Sequence, residues 1–300
     1  MSPPRLSALL LVLAIVAGTL ADRPRPNPPL MLGGYRVLAV DFHTHSSMWS
    51  DGTLTPWGLV LEAGRQGLDA IAITGHNETW DARVGQRFSR LIGGPIVLAG
   101  EEILWPTHHI IAAGISKTIS FRQSAASAID EIHSQGGVAI AAHPFPDYWA
   151  GWDSAAMERL DGAEVCHPGI YIRPLGQREL EQFAARAPVA AIGSSDFHGL
   201  GPMGFCRTYV FVFASDATEQ GILDGVRAHR TVVYGRDGRA YGDSALVRLA
   251  AEAGGFSERE PSRLPVGWLD WTSRIGAVLG LSGVIFGRRR ATVLAGWPGA

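Results

Sequence analysis

Cysteine is scarce in this chain of 300 residues, which contains only Cys166 and Cys206. Two thiols are too few for a disulfide framework or for a cysteine-built structural zinc site. A single bridge between them is left open by the sequence, but we expect both thiols to be free. His167 follows Cys166 directly, and we expect this pair to stand at a strand end without forming a catalytic dyad.

The chain also has little net charge and few basic runs. The formal net charge is −2, and no run of Lys or Arg precedes the last 15 residues, so we expect no nucleic-acid partner. The chain has no G-x-S-x-G sequence that would present a nucleophilic serine, and no internal repeat. Its 46% hydrophobic and 18% charged residues are typical of a globular protein with a sizeable core.

The N-terminus has an apolar run. Arg5 precedes residues 8–20, which carry no charge, and small residues lead to Ala21; this is the pattern of a secretory signal peptide. We predict that residues 1–21 are a signal peptide or a retained N-terminal anchor, and that the proline-rich residues 22–34 are a stiff linker. The protein is then exported to the periplasmic or extracellular face.

The C-terminus has a second apolar run, which ends in three arginines at 288–290. Residues 268–290 are therefore predicted to be a membrane anchor with cytoplasmic arginines, or an amphipathic helix docked on the surface. Both terminal runs are shorter than the roughly 20 residues of a full span, but membrane association through either of them is expected. Residues 253–267 are predicted to be a linker and residues 291–300 a tail, which leaves 35–252 as the folded domain.

Short apolar strands alternate with helical patterns from residue 35 onward. The predicted strands are 35–41, 70–74, 95–102, 109–114, 138–142, 162–166, 189–194 and 208–213, and the predicted helices are 55–66, 81–91, 121–134, 154–160, 176–187 and 218–229. The strands are continuously apolar, as parallel strands buried on both faces are. This order predicts an α/β fold with a mainly parallel sheet of about seven strands, which fits a barrel at least as well as an open sheet.

Unusual polar side chains stand where these strands end. In parallel α/β folds the carboxyl ends of the strands meet at one rim, and active sites form there. A lone H-x-H or D-x-H pattern is more often structural, but its recurrence at successive strand ends indicates a shared site. The residues at these positions are His43, His45, Asp51, His76, Glu101, Glu102, His108, His109, His143, Glu164, His167, Asp196 and His198.

The residue types at this rim indicate a metal site. Strand side chains alternate between faces, so His43 and His45 point the same way while Thr44 points away. Asp196 and His198 repeat this spacing. Mixed imidazole and carboxylate ligands favour Zn, Fe or Mn. The groups outnumber the four positions of one tetrahedral zinc, so we predict a multinuclear site with a bridging carboxylate.

Seven stretches of the chain together resemble the polymerase and histidinol phosphatase (PHP) superfamily over about residues 37–198, with a weaker tail to about 235. They look most like its exported branch, which includes carbaryl-hydrolase-type metallohydrolases. The resemblance implies that residues 35–252 form a distorted seven-stranded (β/α) barrel with a centre of two to three divalent metal ions (Zn, Mn or Fe). The stretches are DFHTHSSMWSDG, GLDAIAITGHNE, LAGEEI, HHIIAAG, GGVAIAAHP, GAEV and GSSDFHG.

The same resemblance assigns the ligands to three metals. The first metal would be held by His43, His45, Asp196 and a bridging Glu102; the second by Glu102, His143 and His109; the third by Asp51, His76 and His198. Two choices depend on motif spacing alone: G-x-E selects Glu102 over Glu101, and H-x4-G selects His109 over His108. Strand parity does not decide either choice, because both faces are apolar. Glu164 and His167 are further candidate site residues at the same rim.

The chain departs from the PHP pattern at two places. Gly75 stands where the family usually has the aspartate of T-D-H, so a hydrogen bond that orients a ligand is expected to be weakened. Many phosphatase members carry an arginine soon after the His-Pro pair, but residues 145–152, which follow His143-Pro144 here, contain none. The phosphate-binding residue is therefore unidentified, and Arg173, after the sixth strand, is a candidate. Trp149 and Trp152 are expected to form an aromatic wall instead.

The resemblance implies a hydrolase with a small-molecule ester substrate. Clustered metals lower the pKa of a bound water, which gives a hydroxide near neutral pH without a nucleophilic side chain. We expect a metal-dependent phosphoesterase in which this hydroxide bridges two metals. Two alternatives are a carboxylic or carbamic ester hydrolase on the same metals, and an exported metal-binding protein without catalytic activity.

Overall fold

The computed structural model describes residues 3–21, 28–235, 237–256 and 268–294. It divides into two compact units, one of residues 24–262 and one of residues 1–23 together with 263–300. Parts of five predicted segments lie outside the described residues: positions 1–2 of the leader, 22–27 of the first linker, 236 of the folded domain, 257–267 of the second linker and 295–300 of the tail.

The described chain contains both α-helices and β-strands. The helices are α1 (Pro3–Ala21), α2 (Pro56–Arg65), α3 (Trp80–Ile92), α4 (Ala125–Ser134), α5 (Ser154–Arg159), α6 (Gly176–Ala184), α7 (Glu219–Arg227), α8 (Ser244–Glu252) and α9 (Trp268–Leu294). The strands are β1 (Leu30–Leu32), β2 (Tyr35–Asp41), β3 (Ala70–Ile73), β4 (Ile96–Trp105), β5 (His108–Ala113), β6 (Val138–Ala141), β7 (Gly162–Cys166), β8 (Ala190–Gly193), β9 (Thr208–Phe213), β10 (Thr231–Tyr234) and β11 (Ala240–Gly242).

Helices α1 and α9 make up the smaller unit and pack against each other. A side chain at Gly280 of α9 would reach within 2.7 Å of the backbone nitrogen of Leu11, so this glycine permits a close approach. The Ser273 hydroxyl donates a hydrogen bond of 2.7 Å to the carbonyl of Ala14. In the part of the chain that the structure describes, no helix is both long enough and apolar enough to cross a membrane.

The larger unit is built on one sheet in the order β11-β10-β9-β2-β3-β4-β5-β6-β7-β8, with β1 beside β2. The pairs β2–β3, β3–β4, β6–β7 and β7–β8 are parallel, whereas β4–β5, β5–β6, β2–β9 and β9–β10 are antiparallel. The α/β class is confirmed, but the count of seven and the mainly parallel sheet are wrong. Only two residues join β4 to β5, which leaves no room for the crossover helix that a parallel pair needs.

The last strand of the sheet path, β8, comes back to β9 and nearly closes a barrel. The Thr208 hydroxyl accepts a hydrogen bond from the Gly193 N–H and donates one to the Gly193 carbonyl, both at 2.9 Å. Closure also brings Cys166, at the end of β7, to Cys206, just before β9, and the two form a disulfide. Our expectation of free thiols was wrong, because a contact made by barrel closure leaves no local signal in the sequence.

The barrel interior is apolar below the rim. One cluster takes its side chains from seven strands and includes Leu38, Ile111, Ile140, Ile192 and Val210. Helix α7 packs its apolar face into the same cluster. A densely packed apolar interior of this kind holds the strand ends in fixed positions, and with them the polar side chains of the rim.

Three of the outer helices begin after a residue whose side chain caps the helix. Thr55, Ser124 and Thr218 each accept a hydrogen bond from the backbone N–H three residues further on, at the starts of α2, α4 and α7. Helix α4 begins later than the predicted 121–134, because Ser124 caps it. These caps fix the loops that lead from the rim into each helix.

Candidate metal centre

His43 and His45 lie directly after β2, and both side chains are buried. Thr44 turns the other way, and its hydroxyl donates to a backbone carbonyl of β3 at 2.7 Å. The Nε2 atoms of His43 and His45 lie 3.3 and 3.1 Å from Asp196 Oδ1, and 3.3 and 3.5 Å from Glu102 Oε2. The structure thus brings together the four residues that the resemblance assigns to the first metal.

Glu102 of β4 occupies the middle of the cluster. Its Oε1 lies 3.2 Å from His109 Nδ1 and 3.0 Å from His143 Nε2, while its Oε2 faces His43, His45 and His76. Strand β5 runs against β4, so its first residues lie at the rim where β4 ends. Because β5 is antiparallel to β4, His109 can reach Glu102 although it lies at the start of its strand.

The third set of ligands is the most exposed. Asp51 Oδ1 lies 3.0 Å from His198 Nε2 and 3.7 Å from His76 Nδ1. His45 is close enough to join this set, because one ligand atom from each of the four residues lies within 4.8 Å of the others. The side chain of Asp51 is 62% exposed, so this part of the centre opens to solvent.

Glu101 and His108 are excluded from the cluster by strand alternation. Glu101 points away from Glu102, and its Oε1 accepts the Ile119 N–H at 2.6 Å. Burial raises the pKa of Glu101 to about 8, so at pH 7 it is a neutral acid. His108 packs its ring edge-on against Trp152, and burial lowers its pKa to about 4. Neither residue is placed to bind a metal with the others.

Other side chains orient the ligand imidazoles. Glu164 Oε1 lies 3.1 Å from His43 Nδ1, Ser50 Oγ lies 3.2 Å from His45 Nδ1, and the Asp196 carbonyl accepts from His198 Nδ1 at 2.8 Å. In each case the other ring nitrogen is left to face the cluster. Hydrogen bonds of this type fix the tautomer and the ring position of metal-binding histidines. Glu164 is therefore a supporting residue.

His167 lies beside the cluster with its Nε2 turned toward Asp196. Its Nδ1 accepts the Gly169 N–H at 3.0 Å, so a neutral imidazole carries its proton on Nε2. That Nε2 lies 3.4 Å from Asp196 Oδ2. Arg173, the candidate for phosphate binding, donates to Asp147 and stacks over Phe145 at 4.5 Å, and none of the described ion pairs joins it to a ligand.

The predicted aromatic wall does not form as expected. Trp152 is a core residue, 2% exposed, and Trp149 is half-buried. Two other tryptophans stand open to solvent: Trp49 is 60% exposed and Trp80 is 50% exposed, and their rings are nearly parallel, with centroids 6.2 Å apart. Trp49 is on the Asp51 loop and Trp80 begins α3, so this pair flanks the third ligand set. No sequence pattern distinguished the Trp149 and Trp152 pair from the Trp49 and Trp80 pair, because the exposure of a side chain depends on how the chain packs.

Left-handed backbone conformations gather at the same rim. Four non-glycine residues there have positive φ: Trp49 (59°), Asn77 (52°), His143 (27°) and Asp196 (47°). Such conformations cost of order 1–3 kcal/mol each and persist where the surroundings over-determine them, often at functional sites. Two of the four are ligand candidates themselves, so the backbone is strained where the cluster is assembled.

The charges of the cluster are strongly coupled. Burial alone would raise the pKa of Glu102 and of Asp196, but His43 and the other imidazoles hold the pKa of both carboxyls well below the usual range. In turn these carboxylates, against the effect of burial, raise the pKa of His43 well above its ordinary value. The cluster therefore favours positive charge at its centre, which a proton or a cation can supply.

The donor set fits divalent cations. His43 Nε2, His45 Nε2 and Asp196 Oδ1 are buried and make no hydrogen bond with any described residue, although imidazole nitrogens and carboxylate oxygens of the cluster lie within 3.5 Å of them. Buried polar atoms without partners are rare and call for an explanation such as a bound ion. Three groups of ligand atoms converge closely enough to hold one: His45, Asp51, His76 and His198; His43, His167 and Asp196; and His43, Glu102 and His143.

Comparison with known proteins supports the fold described above. No protein-family model matches the chain. An uncharacterized protein of Methanocaldococcus jannaschii is 29% identical over 139 residues, which are 43% of this chain and 81% of that protein. A solved two-domain protein from Bacteroides vulgatus, containing a predicted PHP-like metal-dependent phosphoesterase, has a TM-score of 0.61 and 24% identity over 77% of this chain and 74% of its own. The chain shares the fold of that structure.

Proposed function

We propose that the protein is a metal-dependent phosphoesterase of the PHP type that hydrolyses a phosphate ester of a small molecule. The observation that carries the proposal is Glu102, whose two carboxylate oxygens face different imidazoles and can bridge two cations. The likeness to a fold that contains a predicted phosphoesterase supports the choice of reaction.

The chain's own residues hold and orient the reacting groups. Bound divalent cations would supply a water of lowered pKa and would polarise the oxygens of the ester. Glu102 and Asp196 provide the fixed negative charge that retains them, and Glu164 and Ser50 hold the rings of His43 and His45 in place. Substrate reaches the site from the side of the third set, which is where the ligands are exposed.

A second candidate function is hydrolysis of an aryl carboxylic or carbamic ester at the same centre. One observation favours it: none of the described ion pairs joins an arginine to a ligand. The exposed Trp49–Trp80 pair also offers a flat apolar surface beside the third ligand set. Stacking on such a surface favours an aromatic group in the substrate, whether the scissile bond is to phosphorus or to carbon.

Substrate profiling of the metal-loaded protein separates the two functions. We expect hydrolysis of aryl phosphomonoesters, with aryl acetates and carbamates cleaved at least tenfold more slowly. The reverse order would replace the phosphoesterase with the second candidate.

A matched pair of variants tests whether the centre is catalytic. Glu102→Gln removes the bridging charge, and we expect the rate to fall more than about 100-fold, since even supporting residues of metal sites are worth 10- to 100-fold. His133→Ala is the control, because His133 pairs with Asp161 at 2.8 Å on the outside of the barrel. Wild-type rates in Glu102→Gln would rule out a metallohydrolase.

We further propose that the protein is exported. The Cys166–Cys206 disulfide supports this, because disulfides persist in oxidising compartments and are rare in the cytosol. The apolar residues 8–20 provide the leader. Thiol alkylation of protein isolated from cells is the test: labelling of both cysteines without prior reduction would contradict export.

A further inference from the structure

Gly75 leaves a space beside the third ligand set, and another residue fills it. Gly75 stands directly before His76, and neighbouring residues of an extended segment point to opposite sides. A side chain at position 75 would therefore point away from the ligands. A Cβ built there would lie 2.8 and 3.1 Å from the two carboxylate oxygens of Asp81, so the Asp81 carboxylate occupies that place.

Asp81 is a buried carboxylate without a cationic partner among the described residues. It lies in the first turn of α3 with 0% of its surface exposed, and burial raises its pKa to about 6. Its Oδ2 accepts a hydrogen bond from the Ser46 hydroxyl at 2.8 Å, and its Oδ1 accepts the Ala82 N–H at 2.7 Å. Burying such a group is costly unless it is well hydrogen-bonded, so its position calls for a reason.

Ser46 connects Asp81 to the loop that carries Asp51. The Ser46 hydroxyl donates a hydrogen bond to Asp81 and accepts one from the Met48 N–H at 3.2 Å. The Ser46 carbonyl accepts a hydrogen bond from the Gly52 N–H at 3.1 Å. This bond joins the two ends of the loop that carries Asp51. The only side chain that ties Ser46 to another element, within the described residues, is that of Asp81.

We propose that Asp81 is the positioning residue of the third cation site, standing in for the side chain that Gly75 lacks. By holding Ser46 it fixes the loop so that Asp51 faces His76 and His198. The inference rests on the proposed function only in requiring that this ligand set binds a cation. Asp81 touches none of the ligand side chains and acts through the loop.

Metal stoichiometry and affinity provide the test. The full chain is stripped with a chelator, titrated with Mn²⁺ by calorimetry, and checked by elemental analysis. We expect wild type to bind three equivalents, and Asp81→Ala to keep two with unchanged affinity while the third weakens about 10- to 100-fold. Asp153→Ala is the control, since Asp153 also accepts a helix N-terminal N–H, at the start of α5, and is outside this contact.

A compensating substitution distinguishes positioning from loss of packing. Gly75→Asp alone forces two carboxylates into one space, so we expect it to weaken the third site as well. The double variant Gly75→Asp/Asp81→Ala returns one carboxylate to that space, and the third equivalent is expected to recover to within about threefold of wild type. Circular dichroism and thermal melts verify that each variant is folded, and Ser46→Ala replaces Asp81→Ala if the latter is not.

The outcomes separate the two proposals. If wild type binds three equivalents and Asp81→Ala and Ser46→Ala also bind three with wild-type affinity, the role of Asp81 is refuted and the phosphoesterase proposal stands. Uniform loss of all three equivalents in a folded Asp81→Ala variant also refutes it. If wild type binds no divalent cation, the proposed function itself fails.

Discussion

Two adjacent glutamates of β4 are predicted to respond in opposite ways to the same substitution. Glu102 lies at the centre of the ligand cluster, whereas Glu101 is buried on the other face, where its Oε2 has no partner among the described residues. We expect Glu101→Gln to stabilise the protein and to leave metal binding unchanged. Glu102→Gln is expected to abolish bridging of the first two cations.

The magnitude follows from the pKa of Glu101. Burial raises it from 4.5 to about 8 in the folded protein. Between these two values the unfolded chain has lost the proton while the folded chain retains it. Each pH unit in this interval therefore lowers the free energy of unfolding by about 1.4 kcal/mol. At pH 7 the accumulated cost is about 3 kcal/mol, an upper estimate. A glutamine keeps the acceptor for the Ile119 N–H and has no such cost.

Urea denaturation of the metal-free proteins at several pH values measures this effect. The difference in unfolding free energy between Glu101→Gln and wild type is expected to grow with pH from about 5 to 8, by about 4 kcal/mol at most, and to level off above 8. Other titrating groups cancel in this difference. A constant difference over that range, or a loss of metal equivalents in Glu101→Gln, would refute the assignment of the two glutamates.

Two further predictions concern the disulfide and the tryptophan pair. Replacing Cys166 and Cys206 by serine opens a loop of 40 residues and is expected to lower the free energy of unfolding by about 4 kcal/mol; denaturation curves that match those of the wild type would contradict this. Trp49→Ala and Trp80→Ala are expected to lower kcat/KM for aryl phosphates roughly tenfold while hardly changing it for small alkyl phosphates. Phe213→Ala, at an exposed ring of β9, is the control, and an equal loss on both substrates would show that the pair does not contact an aromatic group.

Much of the rim could be predicted from local patterns in the sequence. The H-x-H spacing places His43 and His45 on one side because alternation is a property of the extended chain itself, and Thr44 does turn away as expected. The strands 35–41, 162–166 and 208–213 have the predicted bounds, since short apolar runs between turn residues are a local signal. Fold class and donor chemistry therefore followed from residue identity and order.

The choice of glutamate and the exposure of the tryptophans depended on which segments of the chain meet in the folded protein. Alternation could not choose between Glu101 and Glu102, because both sides of β4 are buried and only the closed barrel shows which side holds the imidazoles. Trp152 is a core residue, whereas Trp49 and Trp80 are exposed.

The sequence by itself determined that imidazoles and carboxylates recur at strand ends in an α/β domain, because both composition and periodicity are local. Tertiary structure alone decided the disulfide and the partner of Gly75. The absence of an acid at position 75 is visible in the sequence. That the Asp81 carboxylate fills the same space from the next helix is visible only once α3 is packed against β3.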